Sequence, residues 1–188
     1  MDGDKIVKNE KLDRRKKYTR RVLKESLLEL LKEKPFSAVT VKEICELADV
    51  NRSTFYAHYR DQFDLLETIE NEIIEDMEEY LHQYILQKKE DAVRMTEKLI
   101  EYFAAKHEEL KILLHVQSES SFEEKVMEVA YHFLKSEWME RDQIDENLSA
   151  YSSTFIISGS VQVLKMWLSG GMKESPRKMA HLINDMIN

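Results

Sequence analysis

The run RSTFYAHY combines small hydroxyl-bearing side chains with aromatic rings at helical spacing. Phe55 and Tyr59 lie four residues apart, so both would face a core if the run is helical. At about 100° per residue, Ser53, Thr54 and Ala57 then point away from that core. Hydroxyl groups can bond to the edges of DNA bases, and methyl groups can contact the thymine methyl group. The spacing therefore indicates a surface that can approach base edges closely.

Three larger side chains border this surface. Arg52, at the start of the run, can reach a guanine base or a phosphate group. Tyr56 and His58 are better suited to the DNA backbone, where contacts fix the register without reading the sequence. An ordinary helical hairpin with a polar exposed side has the same spacing, and on spacing alone this alternative stays open.

Residues 40–59 predict two short helices joined by a tight turn, which would position these side chains. Thr40 and Glu43 form the pattern of a capping box at the start of the first helix, and apolar residues follow at helical spacing. The pattern breaks at Asp49, and Asn51 is a suitable N-cap for the second helix. Two helices that cross at a short turn can place the second one in the DNA major groove.

The charge distribution separates a basic beginning from an acidic remainder. The whole chain carries −8, but residues 1–62 hold 15 Lys and Arg against 11 Asp and Glu. Within residues 11–24 there are eight basic side chains and one acid, Asp13. Such a patch attracts phosphate groups and contributes affinity that depends on salt. Beside a helix-turn-helix, we interpret it as part of a DNA-binding surface and not only as a solvated helix start.

Composition predicts an all-α protein. Only four Gly and two Pro occur in 188 residues, which is too few turn formers for a sheet-rich fold, and the abundant residue types mostly favour helices. We expect about nine helices, of which the second and third form the helix-turn-helix. The other seven are expected at about 13–34, 63–87, 91–106, 108–117, 121–141, 146–168 and 176–187.

The sequence lacks the residues that are typical of several other classes of protein. Cys45 is the only cysteine, so an intramolecular disulfide and a cysteine metal cage are excluded. Glu124, Glu128 and His132 share a helix face but have no further ligand at convincing spacing, so we predict no metal site. No phosphate loop and no nucleophile–base pair occurs, so we predict neither an enzyme nor a cofactor. No apolar run approaches membrane-spanning length and no secretion signal is visible, so we expect a cytoplasmic protein without membrane contact.

Residues 17–77 resemble the DNA-binding domain of the TetR family of bacterial transcriptional regulators. The resemblance rests on the basic first helix followed by PFSAVTVKEICELADVNRSTFYAHYRDQFDLLETI, with its threonine before the second helix and its S-T-F-Y-x-H-Y core. The resemblance implies a helix-turn-helix DNA-binding domain at residues 13–62, with the motif at 40–59. A helical regulatory and dimerisation domain would follow at residues 63–188.

The resemblance also implies which residues contact DNA. They are Thr40, Lys42, Arg52, Ser53, Thr54, Tyr56, Ala57 and His58. Two positions depart from the family pattern. Gln62 stands where a lysine usually meets a phosphate, and Asp49 stands where glycine is common in the turn. Asp tolerates a left-handed backbone better than most residues, so we expect the turn to persist.

The helix expected at residues 146–168 is apolar over an arc of about 240°, too wide for a single neighbour. It is interpreted as part of a dimer interface, in which the last two helices pair with their counterparts as a four-helix bundle; TetR relatives are typically built this way. The alternative is a central helix of the monomer's own core. The predicted interface residues are Phe155, Ile156, Gly159, Ser160, Val163, Met166 and Trp167.

The middle helices usually enclose a ligand pocket in this family. Aromatic residues and methionines at helical spacing are candidates for its lining, although the same pattern also fits an ordinary core. The candidate pocket residues are Tyr102, Phe103, Leu114, His115, Met127, Tyr131, Leu134 and Trp138.

These features together predict a TetR-like transcriptional regulator. We expect a repressor that binds a palindromic operator in double-stranded DNA as a homodimer and is released by a small-molecule effector that the sequence leaves unidentified. The alternative is a coregulator on the same scaffold, which contacts another protein and has no sequence-specific DNA binding. Gln62 and the acidic total charge are the features that support this alternative.

Overall fold

The computed structural model describes residues 2–85, 92–116, 121–138 and 146–187, which contain nine α-helices, one short 3-10 helix and no strand. This confirms the predicted all-α class. The helices are α1 (Asp2–Glu33), α2 (Val41–Leu47), α3 (Arg52–Tyr56), α4 (Gln62–Ile85), α5 (Ala92–Ala105), α6 (His107–Leu113), α7 (Phe122–Trp138), α8 (Glu146–Ser169) and α9 (Pro176–Ile187). The 3-10 helix, Phe36–Ala38, follows α1.

Two predicted boundaries were wrong. The first helix begins at Asp2 and not near Asp13. A single glycine near its start does not interrupt the helix. The third helix ends at Tyr56, so Tyr59 lies beyond it. Tyr59 still lies one helical turn after Phe55, because its N–H donates to the Phe55 carbonyl at 2.9 Å.

The first of two compact units comprises Met1–Glu70. Its core collects apolar side chains from the long first helix, the 3-10 helix, the helix-turn-helix and the beginning of α4. α1 ends before Pro35, as predicted, because Pro35 takes an extended conformation with ψ near 150°. The buried apolar residues are Leu23, Leu27, Phe36, Val39, Ile44, Cys45, Phe55, Tyr59, Leu65, Leu66 and Ile69.

The second unit comprises Asn71–Asn188, so the division falls within α4. Inside this unit α5 packs mainly against α9, while α8 packs against both α6 and α7. The Tyr102 hydroxyl ties α5 to the later part of α4, since its single proton is shared between the Ile73 carbonyl and Asp76 Oδ2, each at 3.0 Å. Burial and the charge of Asp76 raise the pKa of Tyr102, so its phenol remains a hydrogen-bond donor.

Candidate nucleic-acid interface and effector cavity

The start of α2 is fixed by the predicted capping box. Thr40 Oγ1 accepts from the Glu43 N–H at 3.3 Å, and Glu43 Oε2 accepts from the Thr40 N–H at 3.0 Å. Lys34 Nζ lies 2.6 Å from the other carboxylate oxygen of Glu43. Hydrogen bonds from Lys34 and Thr40 lower the pKa of Glu43 to about 2. Glu43 stays ionised down to strongly acidic pH. Over that range its bonds to Lys34 and Thr40 therefore hold the start of α2 against the segment of chain that precedes it.

The turn between α2 and α3 takes the predicted left-handed step at Asp49, where φ is 52°. Asn51 caps α3, also as predicted, and its Oδ1 is a shared acceptor. The Thr54 N–H donates to it at 2.8 Å, and the hydroxyls of Ser53 and Thr54 donate to it at 2.6 and 2.8 Å. Because Oδ1 has two lone pairs for these three donors, the two hydroxyls compete for one of them, so one hydroxyl proton at a time stays available to DNA.

The outer side of α3 is open to solvent. Phe55 is fully buried, and its ring contacts Tyr59 at 5.8 Å between centroids. The Tyr56 ring is 58% exposed and stands edge-on to Phe55 at 5.5 Å. The exposed or half-buried residues are Arg52, Ser53, Thr54, Tyr56, Ala57 and His58. All six candidate contact residues of this region thus lie in one stretch of the chain, residues 52–58, although Ala57 and His58 follow the last helical residue.

His58 lies in a positively charged setting. Burial is the main cause that lowers its pKa, and the nearby charges of Arg20 and Lys16 lower it further. The imidazole is therefore neutral at neutral pH in the absence of DNA.

Two further candidates lie at the ends of neighbouring helices. Lys42 is exposed on α2, and its Nζ is 3.6 Å from a Glu46 carboxylate oxygen. An exposed pair of this kind contributes little to stability, so Lys42 can exchange this partner for a phosphate. Gln62 is the first residue of α4 and is half-buried.

The second unit contains an apolar cavity of about 40 Å³, which is space for about three water molecules. Five helices contribute to its wall, and only two of the lining side chains carry a polar atom. The lining residues are Leu81, Met95, Thr96, Leu99, Ile100, Phe103, Val126, Ala130, Ile157, Ser160, Val161, Leu164 and Ile183.

Large apolar side chains on two helices of this unit face solvent. On α8, Tyr151, Phe155 and Met166 are 77%, 82% and 67% exposed, and on α9 Leu182 and Met186 are 42% and 66% exposed. Gly159 belongs to the same face of α8, because a Cβ built on it would meet nothing within 4 Å. Large apolar side chains that share one exposed helix face mark an interaction surface.

Comparison with known proteins places this geometry in a family. Residues 25–69 match the family described as "Bacterial regulatory proteins, tetR family", and residues 90–188 match the one described as "Transcriptional regulator C-terminal region". The chain belongs to the TetR family of transcriptional regulators. Transcription regulation and DNA binding through a helix-turn-helix follow from this membership.

Individual relatives of this TetR family chain agree with the assignment. The TetR transcriptional regulator of Streptococcus agalactiae 2603V has the same fold, with a TM-score of 0.73 and 20% identity over 94% of this chain and 97% of that one. FadR from Bacillus subtilis in complex with stearoyl-CoA has a TM-score of 0.65 and 17% identity over 89% and 96%. At these identities the likeness shows the fold alone.

A third relative is the uncharacterized HTH-type transcriptional regulator YxbF of Bacillus subtilis (strain 168). It is 44% identical over 59 residues. The match spans 31% of this chain and only 14% of that protein.

Among the predicted pocket residues whose side chains the structure describes, only Phe103 lines the cavity. Tyr102 points instead to α4, and Leu114 is buried at the end of α6. His115 is exposed, with Nδ1 2.6 Å from the Lys111 carbonyl. The remaining members were Met127, Tyr131, Leu134 and Trp138. Met127 and Tyr131 are half-buried away from the cavity lining, and the side chains of Leu134 and Trp138 lie outside the described residues.

The predicted dimer-interface residues differ in their exposure. Phe155, Gly159 and Met166 face outward, whereas Ile156 and Val163 are half-buried. Ser160 lines the cavity. Trp167 is buried in its own protomer, where its Nε1 donates to the Glu174 carbonyl at 3.0 Å.

The described residues lack two further features. No helix among them is long and apolar enough to cross a membrane. No group of three or more His, Cys, Asp or Glu in this part of the chain could hold a metal ion.

Proposed function

We propose that this TetR family regulator is a cytoplasmic homodimeric repressor, which binds a palindromic operator and is released by a small-molecule effector whose aliphatic part enters the cavity. In this proposal residues 13–62 read the DNA, and residues 63–188 dimerise and receive the effector. The observation that carries it is the outer side of α3, where small polar groups are exposed directly opposite a fully buried Phe55.

Base reading is assigned to Ser53, Thr54 and Ala57. The hydroxyl oxygens of Ser53 and Thr54 can both accept from a base, and the hydroxyl that is not bonded to Asn51 can also donate to one. The matching donors in the major groove are the amino groups of adenine and cytosine. The Ala57 methyl is exposed and suits a thymine methyl. Arg52, at the first position of α3, is assigned to guanine or to a phosphate.

Positioning on the backbone is assigned to Thr40, Lys42, Tyr56 and His58. The exposed Tyr56 hydroxyl and the Lys42 ammonium group are typical phosphate donors. The Thr40 hydroxyl oxygen can continue to accept from the Glu43 N–H while its proton moves from Glu43 Oε2 to a phosphate oxygen. Together these residues would set the register of α3 in the groove.

Dimerisation is assigned to the exposed apolar face of α8 and α9. A two-fold axis through this face would cover Phe155, Met166, Leu182 and Met186, which are otherwise left to water. Gly159 would allow close approach of the two α8 helices, since its position is open. Half-sites spaced by about 34 Å, or a multiple of it, would match such a dimer.

The apolar cavity is assigned to the effector. Its wall suits an aliphatic molecule, and the similar FadR from Bacillus subtilis binds stearoyl-CoA. A molecule larger than a few waters has to move the five surrounding helices apart. Since α4 supplies Leu81 to the wall and also carries residues of the DNA-binding unit, this movement can bias DNA affinity.

Fluorescence anisotropy with the DNA upstream of the protein's own gene tests the proposal. We expect selective binding to an inverted repeat, weakening steeply between two salt concentrations. Tyr56→Ala and Thr54→Ala should weaken binding without changing the melting temperature. His132→Ala is the control, because the His132 side chain is 67% exposed but lies on α7, in the second unit. Equal affinity of all three variants and the parent would refute the contact assignment.

The effector and the sign of regulation need separate measurements. Stearoyl-CoA added to the protein–DNA complex should lower the anisotropy, and Ala130→Phe, which fills the cavity, should prevent this release. A promoter fused to a reporter should become more active when the regulator gene is deleted. Reduced reporter activity would identify an activator.

A further inference from the structure

The residue that caps α3 also holds the two hydroxyl groups that we assign to base reading. Asn51 precedes α3 in an extended conformation, and its Oδ1 accepts from the Thr54 N–H at 2.8 Å. The same oxygen lies 2.6 Å from Ser53 Oγ and 2.8 Å from Thr54 Oγ1. Asn51 and Ser53 are exposed and Thr54 is half-buried, so this small network lies on the outer side of α3. One amide oxygen therefore meets three hydrogen-bond donors.

These three donors are not equivalent. The Thr54 N–H belongs to the backbone and keeps its direction, so it occupies one lone pair of the amide oxygen in every arrangement. The two hydroxyl protons can rotate about their C–O bonds, and they compete for the second lone pair. When Ser53 donates to Asn51, its oxygen can still accept from a base, and the Thr54 proton is available to one. When Thr54 donates to Asn51, the two hydroxyls exchange these roles.

We propose that Asn51 couples the two base contacts, because Ser53 and Thr54 cannot both donate to DNA without breaking the hydroxyl bond to Asn51. This coupling rests on the proposed function, in which both hydroxyls read bases, and it adds a positioning role for a residue that is not itself assigned to DNA. A half-site that presents one amino group and one acceptor atom to the two hydroxyls keeps the bond to Asn51. A half-site that presents two acceptor atoms breaks it.

Specificity at the two base pairs is then not the product of two independent preferences. The expected size of the departure is that of the bond that is lost. One net hydrogen bond between neutral groups is equivalent to a factor of about 2 to 12 in affinity at 25 °C. The duplex with two acceptor atoms should therefore bind more weakly, by about this factor, than the two single changes predict together.

Four duplexes measure the coupling. Ser53→Ala and Thr54→Ala first identify the base pair that each hydroxyl reads, as the pair at which that variant loses discrimination. Replacing adenine by guanine, or cytosine by thymine, exchanges an amino group for a carbonyl oxygen at the same place in the major groove. This exchange is made in one half-site at the first pair, at the second, at both or at neither. The product of the affinities for the two mixed duplexes, divided by the product for the other two, is the coupling factor.

Asn51→Asp tests whether the cap is the source of the coupling. Aspartate is as good an N-cap as asparagine, and it supplies a second acceptor oxygen, so the two hydroxyls no longer compete. The coupling factor should therefore fall close to one. Gln62→Glu is the matched control, because it adds the same charge to the DNA-binding unit, at the start of α4, and leaves Asn51 in place. The general loss of affinity from the added charge cancels in the ratio, and the coupling factor should remain about 2 to 12.

Ser53→Ala supplies a second measurement, which does not depend on the folding of the Asn51→Asp variant. Without the competing hydroxyl, the Thr54 proton can stay on Asn51. The preference at the base pair that Thr54 reads should then shift toward the amino group by about the same factor of 2 to 12. Circular dichroism checks that each variant keeps the helix content and melting temperature of the parent.

A coupling factor close to one in the parent, together with an unshifted preference in Ser53→Ala, would overturn the coupling. A factor that is unchanged in a folded Asn51→Asp protein would also overturn it, since the neighbouring base pairs would then be its source. In both cases selective binding of the parent to an inverted repeat, compared with a scrambled duplex of equal length, still supports the proposed function. A parent that binds both duplexes equally well would overturn the proposed function, and the coupling with it.

Discussion

Replacing Phe155 by alanine should break the proposed dimer, and the size of the effect follows from the exposure of the ring. Phe155 is 82% exposed in the protomer, and burial of an aromatic side chain removes at least about 150 Å² from water. Covering the exposed part at about 25 cal/mol/Å² contributes about 3 kcal/mol. A two-fold axis presents this ring twice, so the dimer loses about 6 kcal/mol, or about four powers of ten in Kd.

Sedimentation velocity over a dilution series from nanomolar to micromolar protein measures this change. The parent should remain dimeric where Phe155→Ala is monomeric, and both should keep the same helix content. Tyr18→Ala is the control, since it removes a 58% exposed ring from the DNA-binding unit. A Phe155→Ala protein that stays dimeric at nanomolar concentration would refute the assignment of this face, as would a monomeric parent at micromolar concentration.

Three further measurements follow from the polar contacts. The pKa of Glu43 is lowered to about 2, so its capping box stabilises the fold above about pH 4.5 and this contribution is lost as pH falls toward 2. The difference in melting temperature between the parent and Glu43→Gln should therefore shrink over that range; a constant difference would contradict the reasoning. Tyr102→Phe removes two hydrogen bonds, one to a carboxylate, and should lower the free energy of unfolding in urea by about 1–2 kcal/mol. An unchanged urea midpoint would mean that neither bond stabilises the fold. The pKa of His58 is lowered in the unbound protein, and DNA phosphates would raise it, so DNA affinity should rise as pH falls from neutral toward the lowered pKa of the free protein. Anisotropy titrations of His58→Gln should lack this rise, and a rise that persists in the variant would exclude His58 as its source.

The pattern of the DNA-binding unit was predictable because it depends on contacts between near neighbours in sequence. The capping box joins residues three apart, the cap at Asn51 reaches Thr54, and the turn requires one tolerant residue at Asp49. The end of α3 was not predictable in the same way. A spacing of four between Phe55 and Tyr59 fits a helix, but it also fits the single turn that the chain makes after Tyr56.

The cavity shows the limit of pattern reasoning most clearly. From side chains at helical spacing we predicted that Tyr102 and His115 line the cavity. The cavity wall is instead mainly aliphatic and combines residues from Leu81 to Ile183. A cavity is the space that packing leaves between helices. Its position depends on how five separate faces meet, and no single stretch of sequence contains that information.

What the sequence by itself determined is the order of helices, the capped turn at residues 40–59 and the basic beginning of the chain, since each of these depends on local residue types. It also predicted that α8 is apolar on two sides. Only the tertiary structure decided that Ile157, Val161 and Leu164 face inward while Phe155 and Met166 face water. Two apolar faces of one helix are equivalent in sequence, and they become different only when neighbouring helices cover one of them.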